Sequence, residues 1–164
     1  MKSTAIFLAV TFCGVLLDLI TKWIIFKNFK DVGRYVIIPN FLGIIYSKNE
    51  GIVFGFAQGK SDILIFFSIA AIIAIFWFYK NFDRSRLFPN IAFGMILSGA
   101  IGNLWDRIFY HYVRDFIDVH LGMKYHWPTF NIADSLICIG VGLLFYETLF
   151  IKKQDSPSNQ NPVE

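Results

Sequence analysis

Asp134 sits in Trp127 to Ile151, an otherwise almost wholly apolar run, with no Lys or Arg three or four positions away to neutralise it. If that run is one helix, Asp134 lies about two turns inside it. A carboxylate placed in hydrocarbon is expensive and marks a functional site by default. Its chemistry calls for a partner, and Asp115 and Asp118 are the candidates, because Val113-Arg114-Asp115-Phe116-Ile117 is apolar enough to dip back toward a helix bundle. Two facing carboxylates share a proton: repulsion and desolvation raise one pKa while the other stays low, so a general acid and a general base stand side by side. Such a dyad activates a water for attack on an amide without metal or covalent intermediate.

Other polar residues fall at the ends of apolar runs. Asp18 and Lys22 are four apart and stack on one helix face, where an ion pair that merely neutralises itself is the plain alternative to a role in a site. Asp106 and Arg107 close another run and read as interfacial anchors, the arginine free to snorkel. Asn103 and Asn131 suit hydrogen bonds between helices. Other chemistries fit less well. His111, His120 and His126 have the spacing H-x8-H-x5-H, which matches no tight metal-ligand pattern, so no metal is expected. Ser98-Gly99 has no histidine inside any run to act as its base, and reads as helix packing. Cys13 and Cys138 stand alone in apolar runs as small packing residues.

The elements that must position these groups are membrane spans. Of 164 residues, 55% are hydrophobic and only 16% charged, and the mean hydropathy is +0.54, far too apolar for a soluble domain of this size. The net charge of +3 is scattered through the connections without a basic face, which excludes nucleic acid as a partner. Four segments can cross a hydrocarbon core, which takes about 20 helical residues: Thr4 to Phe26, Ile63 to Tyr79, Leu87 to Trp105 and Trp127 to Ile151. The first continues past Gly14 with no small-x-small site, so it reads as a retained span rather than a cleaved leader. The third carries Pro89, Gly94, Gly99 and Gly102, as a span built for close helix approach would. Residues 1–151 form a single domain in this reading, and the polar tail 152–164 should be disordered.

Between the first two spans, Tyr35 to Ile38 and Gly43 to Tyr46 flank Pro39-Asn40 and read as short strands of a small sheet. A second loop, Ile108 to His126, is rich in aromatic residues and His, as suits an amphipathic segment at headgroup level. Basic residues concentrate in Met1 to Ser3, Lys80 to Leu87 and Lys152 to Glu164, which favours cytoplasmic termini. Asp18, Lys22, Asn103, Asp106, Arg107, Asn131 and Asp134 then share the outer leaflet. That depth argues against a proton-coupled transporter or channel, whose pathway needs polar groups through the whole membrane. A noncatalytic assembly factor would not need Asp134.

Five blocks together carry a resemblance. Asp18-Leu19-Ile20-Thr21-Lys22, Asn49-x-Gly51-x-x-Phe54-Gly55, Gly99-Ala100-x-Gly102-Asn103-x-x-Asp106-Arg107, Val113-x-Asp115-Phe116 and Phe130-Asn131-x-Ala133-Asp134 resemble, in order and spacing, the motifs of bacterial lipoprotein signal peptidase, the type II signal peptidase. Ser98 departs from the pattern, which usually has glycine there. The resemblance implies an aspartic endopeptidase of the bacterial cytoplasmic (inner) membrane that cuts diacylglyceryl-modified prolipoproteins just before the lipidated cysteine. It implies that Asp115 and Asp134 are the catalytic dyad, that Asp18, Lys22, Asn49, Asn103, Arg107 and Asn131 position the dyad or bind substrate, and that cyclic peptide antibiotics such as globomycin occupy the cleft. No cofactor is implied, and the partners are prolipoproteins and membrane lipids.

Overall fold

The computed structural model of the chain describes residues 2–51, 61–122 and 125–151. The tail from Lys152, and Phe54 and Gly55 of the second sequence block, lie outside these residues. The order of elements is α1 (Lys2–Asn28), β1 (Arg34–Ile38), β2 (Leu42–Asn49), α2 (Ser61–Asn81), α3 (Leu87–Tyr110), β3 (Val113–Leu121), β4 (Tyr125–His126) and α4 (Ile132–Tyr146), which continues as a π-helical turn over Glu147–Ile151.

All four helices contain a stretch long and apolar enough to cross a membrane. The 27 residues of α1 run roughly 40 Å at 1.5 Å each, more than a hydrocarbon core of about 30 Å. Their outer faces carry large bare side chains: Phe12, Phe66, Phe67, Ile73 and Trp77 are all more than 60% exposed. Such a surface would be an aggregation liability in water and is an ordinary one against lipid.

The middle of the bundle is α3, whose most apolar stretch is 56% buried, against 11–17% in the other three spans. It packs on α1, α2 and α4. Two of its glycines set how closely. A Cβ on Gly99 would strike the Ala133 carbonyl oxygen, and one on Gly102 would strike Asp18 Oδ2. Ser98, the departure from the family pattern, is accommodated from the other side: Gly14 of α1 faces it without a side chain, and its Oγ donates to Met95 O at 2.8 Å.

Away from the sheet, Phe7, Tyr79, Phe93 and Leu97 form a buried cluster. Polar groups are buried at this end too, among them Asn90, which accepts from Tyr79 Oη at 2.8 Å, and Glu147, paired with Arg86 at 2.9 Å. Along α3, however, the buried side chains between Asn90 and Asn103 are Ala92, Phe93, Leu97 and Ser98, only the last of them polar.

The strands form one antiparallel sheet in the order β1-β2-β3-β4. The stretch read from sequence as an amphipathic outer loop is largely strand: β3 occupies its centre and pairs with β2 from Leu42 opposite Val119 to Asn49 opposite Val113. Its pattern was hidden because β3 is covered on both faces and carries charges on both, so no apolar–polar alternation survives. A bulge in β2 between Ile44 and Ser47 shifts the register. The sheet docks on the end of α1 through Phe26 and Tyr46, whose ring centroids lie 4.2 Å apart.

Candidate active site

The fourth span begins later than its composition suggests. Residues 127–130 are extended beside β3, with Trp127 N donating to Val119 O at 2.9 Å and Phe130 pairing antiparallel with Ile117. The helix starts only after Asn131. Asp134 is therefore in the first turn of α4, not two turns in, and it closes a capping box: Asn131 Oδ1 accepts from Asp134 N at 3.0 Å and Asp134 Oδ2 accepts from Asn131 N at 3.1 Å. A capping role alone would account for Oδ2. It does not account for Oδ1, which accepts from Asn103 Nδ2 of α3 at 2.8 Å.

The extended segment that delays α4 also holds β3 against its start, and this brings Asp115 to the same place. Asn131 Nδ2 donates to Asp115 Oδ1 at 2.6 Å, and Asn49 Nδ2 of β2 donates to Asp115 Oδ2 at 2.9 Å. Asn131 thus bonds to both aspartates. Of the two candidates left open by the sequence, Asp115 is the one beside Asp134. Asp118 is an odd number of residues away on the same strand and contacts Arg34, His120 and His126 instead. Asp115 is 1% exposed. Burial first, and the charge of Asp134 second, push its carboxyl from the ordinary 3.8 to about 7, while the Asn49 and Asn131 amides and Lys22 pull the other way.

Around the two carboxyls runs a buried chain of alternating charge. Lys22 Nζ lies 2.8 Å from Asp18 Oδ2 and 3.2 Å from Asp106 Oδ2, and donates to Asn103 Oδ1 at 3.0 Å. Asp18 Oδ1 accepts the Ala133 N–H at 2.9 Å, which ties α1 to the first turn of α4. The α1 pair is thus not merely self-neutralising. Asp106, expected at the interface, is fully buried and holds Arg114 of β3 through its backbone N–H at 2.9 Å and guanidinium Nη2 at 2.7 Å. The sequence places Asp106 among the outer-leaflet polar residues only as an anchor and gives Arg114 no role. They lie on a helix and a strand with no shared periodicity, and only the fold makes them neighbours. Arg107 is half-buried, donates to Asn103 O, and lies within electrostatic range of Asp134 and Asp115.

Of the histidines, His111 ends α3 in a left-handed conformation. His120 and His126, by contrast, meet Asp118. The signal was the Asp118-x-His120 repeat on one strand face followed by a hairpin, which the spacing rule for short ligand motifs does not cover.

Four apolar spans around two neighbouring aspartates, Asp115 buried and Asp134 half-buried, both hydrogen-bonded to Asn131, have the architecture of a membrane-embedded aspartic peptidase. The comparisons agree and narrow it. A family model described as Signal peptidase (SPase) II matches residues 10–150. The lipoprotein signal peptidase of Clostridium novyi (strain NT) is 40% identical over 131 residues, covering 80% of this chain and 88% of that one. That of Syntrophotalea carbinolica is 39% identical over 133 residues, covering 79% and 82%. A bacterial membrane enzyme solved by the in meso method at 2.3 Å superposes with a TM-score of 0.79 at 32% identity, over 96% of this chain and 93% of that one. The chain belongs to the signal peptidase II family, and so is an aspartic-type protease.

Proposed function

We propose that Asp115 and Asp134 are the catalytic dyad, and that residues 1–151 act as one peptidase domain cleaving the signal peptide from diacylglyceryl-modified prolipoproteins just before the lipidated cysteine. The observation that carries the assignment is Asn131, which hydrogen-bonds both carboxyl groups at once. In this reading Asp115 enters the cycle protonated and Asp134 ionised. Asp134 takes a proton from water as the water oxygen attacks the scissile carbonyl carbon, and the proton of Asp115 passes to the carbonyl oxygen. The tetrahedral diol then collapses: Asp134 gives its proton to the leaving nitrogen, one diol hydroxyl returns a proton to Asp115, and the C–N bond breaks.

Asn49, Asn103 and Asn131 orient the two carboxyls. Asp18 and Lys22 brace the first turn of α4 and Asn103, and Arg107 supplies a positive field beside the dyad. The site and the sheet lie at the same end of the bundle, and in this reading that end faces the outer leaflet of the bacterial cytoplasmic membrane with the termini cytoplasmic, which the charge distribution of the connections supports. A lipid-modified cysteine is held at that depth by its acyl chains among the membrane lipids, and globomycin-type cyclic peptides would compete for the same cleft. The test is cleavage of a lipidated precursor by purified protein. Shortened product from wild type is expected, its rate of formation reduced roughly 100-fold or more in Asp134→Asn. Wild-type cutting by Asp134→Asn together with a dead Asp118→Asn would overturn the dyad.

A further inference from the structure

On the face of β3 away from the dyad, a second constellation has no part in that mechanism. His120 stands directly opposite His126 across the β3–β4 pair, and Asp118 is two residues before His120, hence on the same strand face. We propose that Asp118, His120 and His126 bind a divalent transition-metal ion of the zinc type.

The distances carry the argument. His120 Nδ1 lies 3.4 Å from Asp118 Oδ2, and His126 Nδ1 lies 3.5 Å from Asp118 Oδ1. These are too long for good hydrogen bonds, whose donor–acceptor separations reach about 3.2 Å. They suit two ligand atoms on one tetrahedral ion instead, since zinc–nitrogen and zinc–oxygen bonds of about 2.0–2.1 Å put neighbouring ligands roughly 3.3 Å apart. One potential ligand atom from each of the three residues lies within 4.8 Å of the others, so a small inward movement completes a three-ligand set.

Burial supplies the independent sign. Asp118 is 2% and His120 6% exposed, and His120 Nδ1 is buried without a hydrogen-bond partner among the described residues. A buried ring nitrogen left without a partner is a rarity that asks for an explanation, an ion among them. The two imidazoles lie nearly parallel, 17° apart with centroids at 5.2 Å, both presenting Nδ1 toward the same carboxylate. An open cleft of about 480 Å³ lined by both histidines, Arg34 and Asn40 gives access. Two imidazoles and one carboxylate leave a fourth position for water, and this donor set suits zinc, cobalt and nickel rather than calcium or magnesium.

Arg34 is the competing cation, its Nη2 2.9 Å from Asp118 Oδ2. An ion bound here would take over that carboxylate and cross-link β3 to β4, staying clear of Asp115. The ion is therefore structural in this assignment, holding the hairpin, and cleavage does not require it.

The experiment uses the untagged full-length protein in detergent micelles, freed of metal with chelator, with Cys13 and Cys138 replaced by Ser. Titration with Co²⁺ should develop the visible absorption of a tetrahedral site, saturating at one equivalent per chain and bleached by Zn²⁺. Zn²⁺ should also raise Tm. His126→Ala, at an exposed position, should abolish the band and the Tm shift, and His111→Gln should keep both. Arg34→Gln should tighten binding severalfold by freeing the carboxylate, a gain that mere structural damage would not produce. Absence of a saturable signal in the wild type, or a band that survives His126→Ala, would overturn the site.

Discussion

Asp115 and Asp134 both bond to Asn131 from different settings, one on a strand buried at 1% exposure, the other in the first turn of a helix. Asp115→Asn and Asp134→Asn keep size and most hydrogen bonds but cannot carry the proton. Each should lower turnover roughly 100-fold or more, the low end for an acid–base group. The double variant should be scarcely worse than either single one, as the proposed dyad requires of a pair acting as a unit. Asp118→Asn should be mild. The assay is precursor cleavage at equal membrane abundance. The pH profile follows from the position of Asp115 at about 7: the dyad loses its shared proton as pH rises through that value, so turnover should fall on the alkaline side. Asn49→Ala removes a hydrogen bond that favours the ionised form, and should move this limb to higher pH. Stability has the same sign. The folded protein holds a proton that the unfolded chain has released above about 4, so the contribution of Asp115 to Tm should decline as pH rises toward 7, and Asp115→Asn should flatten that slope.

Helix α3 does the positioning, and its small residues are where the site touches the packing. Gly102→Ala would drive a Cβ into Asp18 Oδ2 and push that carboxylate off the Ala133 N–H. It should cost about 1–3 kcal/mol of stability, the usual range for overpacking, and lower turnover as well. Gly142→Ala, with nothing within 4 Å of the added methyl, is the matched control and should be neutral. Thermal unfolding in micelles, read beside cleavage, separates the two. Asp106→Ala leaves Lys22 and Arg114 without the carboxylate they share. Breaking a buried ion pair from one side costs about 3–5 kcal/mol, so this variant should show the larger fall in Tm.

At the scale of the whole molecule, the direction in which the bundle faces is read by labelling its two ends. The sheet and every residue of the polar chain lie at one end, and Ser85 lies in the connection at the other, between α2 and α3. In a background without Cys13 and Cys138, a cysteine placed at Ser61 should react with an impermeant thiol reagent on intact cells, and one at Ser85 should not. The reverse pattern would put the dyad in the inner leaflet.

Composition and hydropathy were enough to establish four spans, because a bilayer demands about 20 apolar residues per crossing and tolerates few charges within them. The motif blocks were enough to indicate the family, and the short strands before α2 were legible from Pro39-Asn40 and their β-branched residues. The partner of Asp134 was not. Asp115 and Asp118 are three residues apart on one strand, so their side chains leave on opposite faces, and only the pairing of β3 with β2 and with residues 127–130 decided which one meets α4. The same register sent Asp118 and His120 to the other face beside His126, where a histidine spacing that matched no local ligand motif closes across a hairpin. The roles of Asp106 and Arg114 were out of reach for a similar reason. A charge at a helix end is an anchor or a buried brace according to what the next element lays over it, and that contact is a property of the assembled fold.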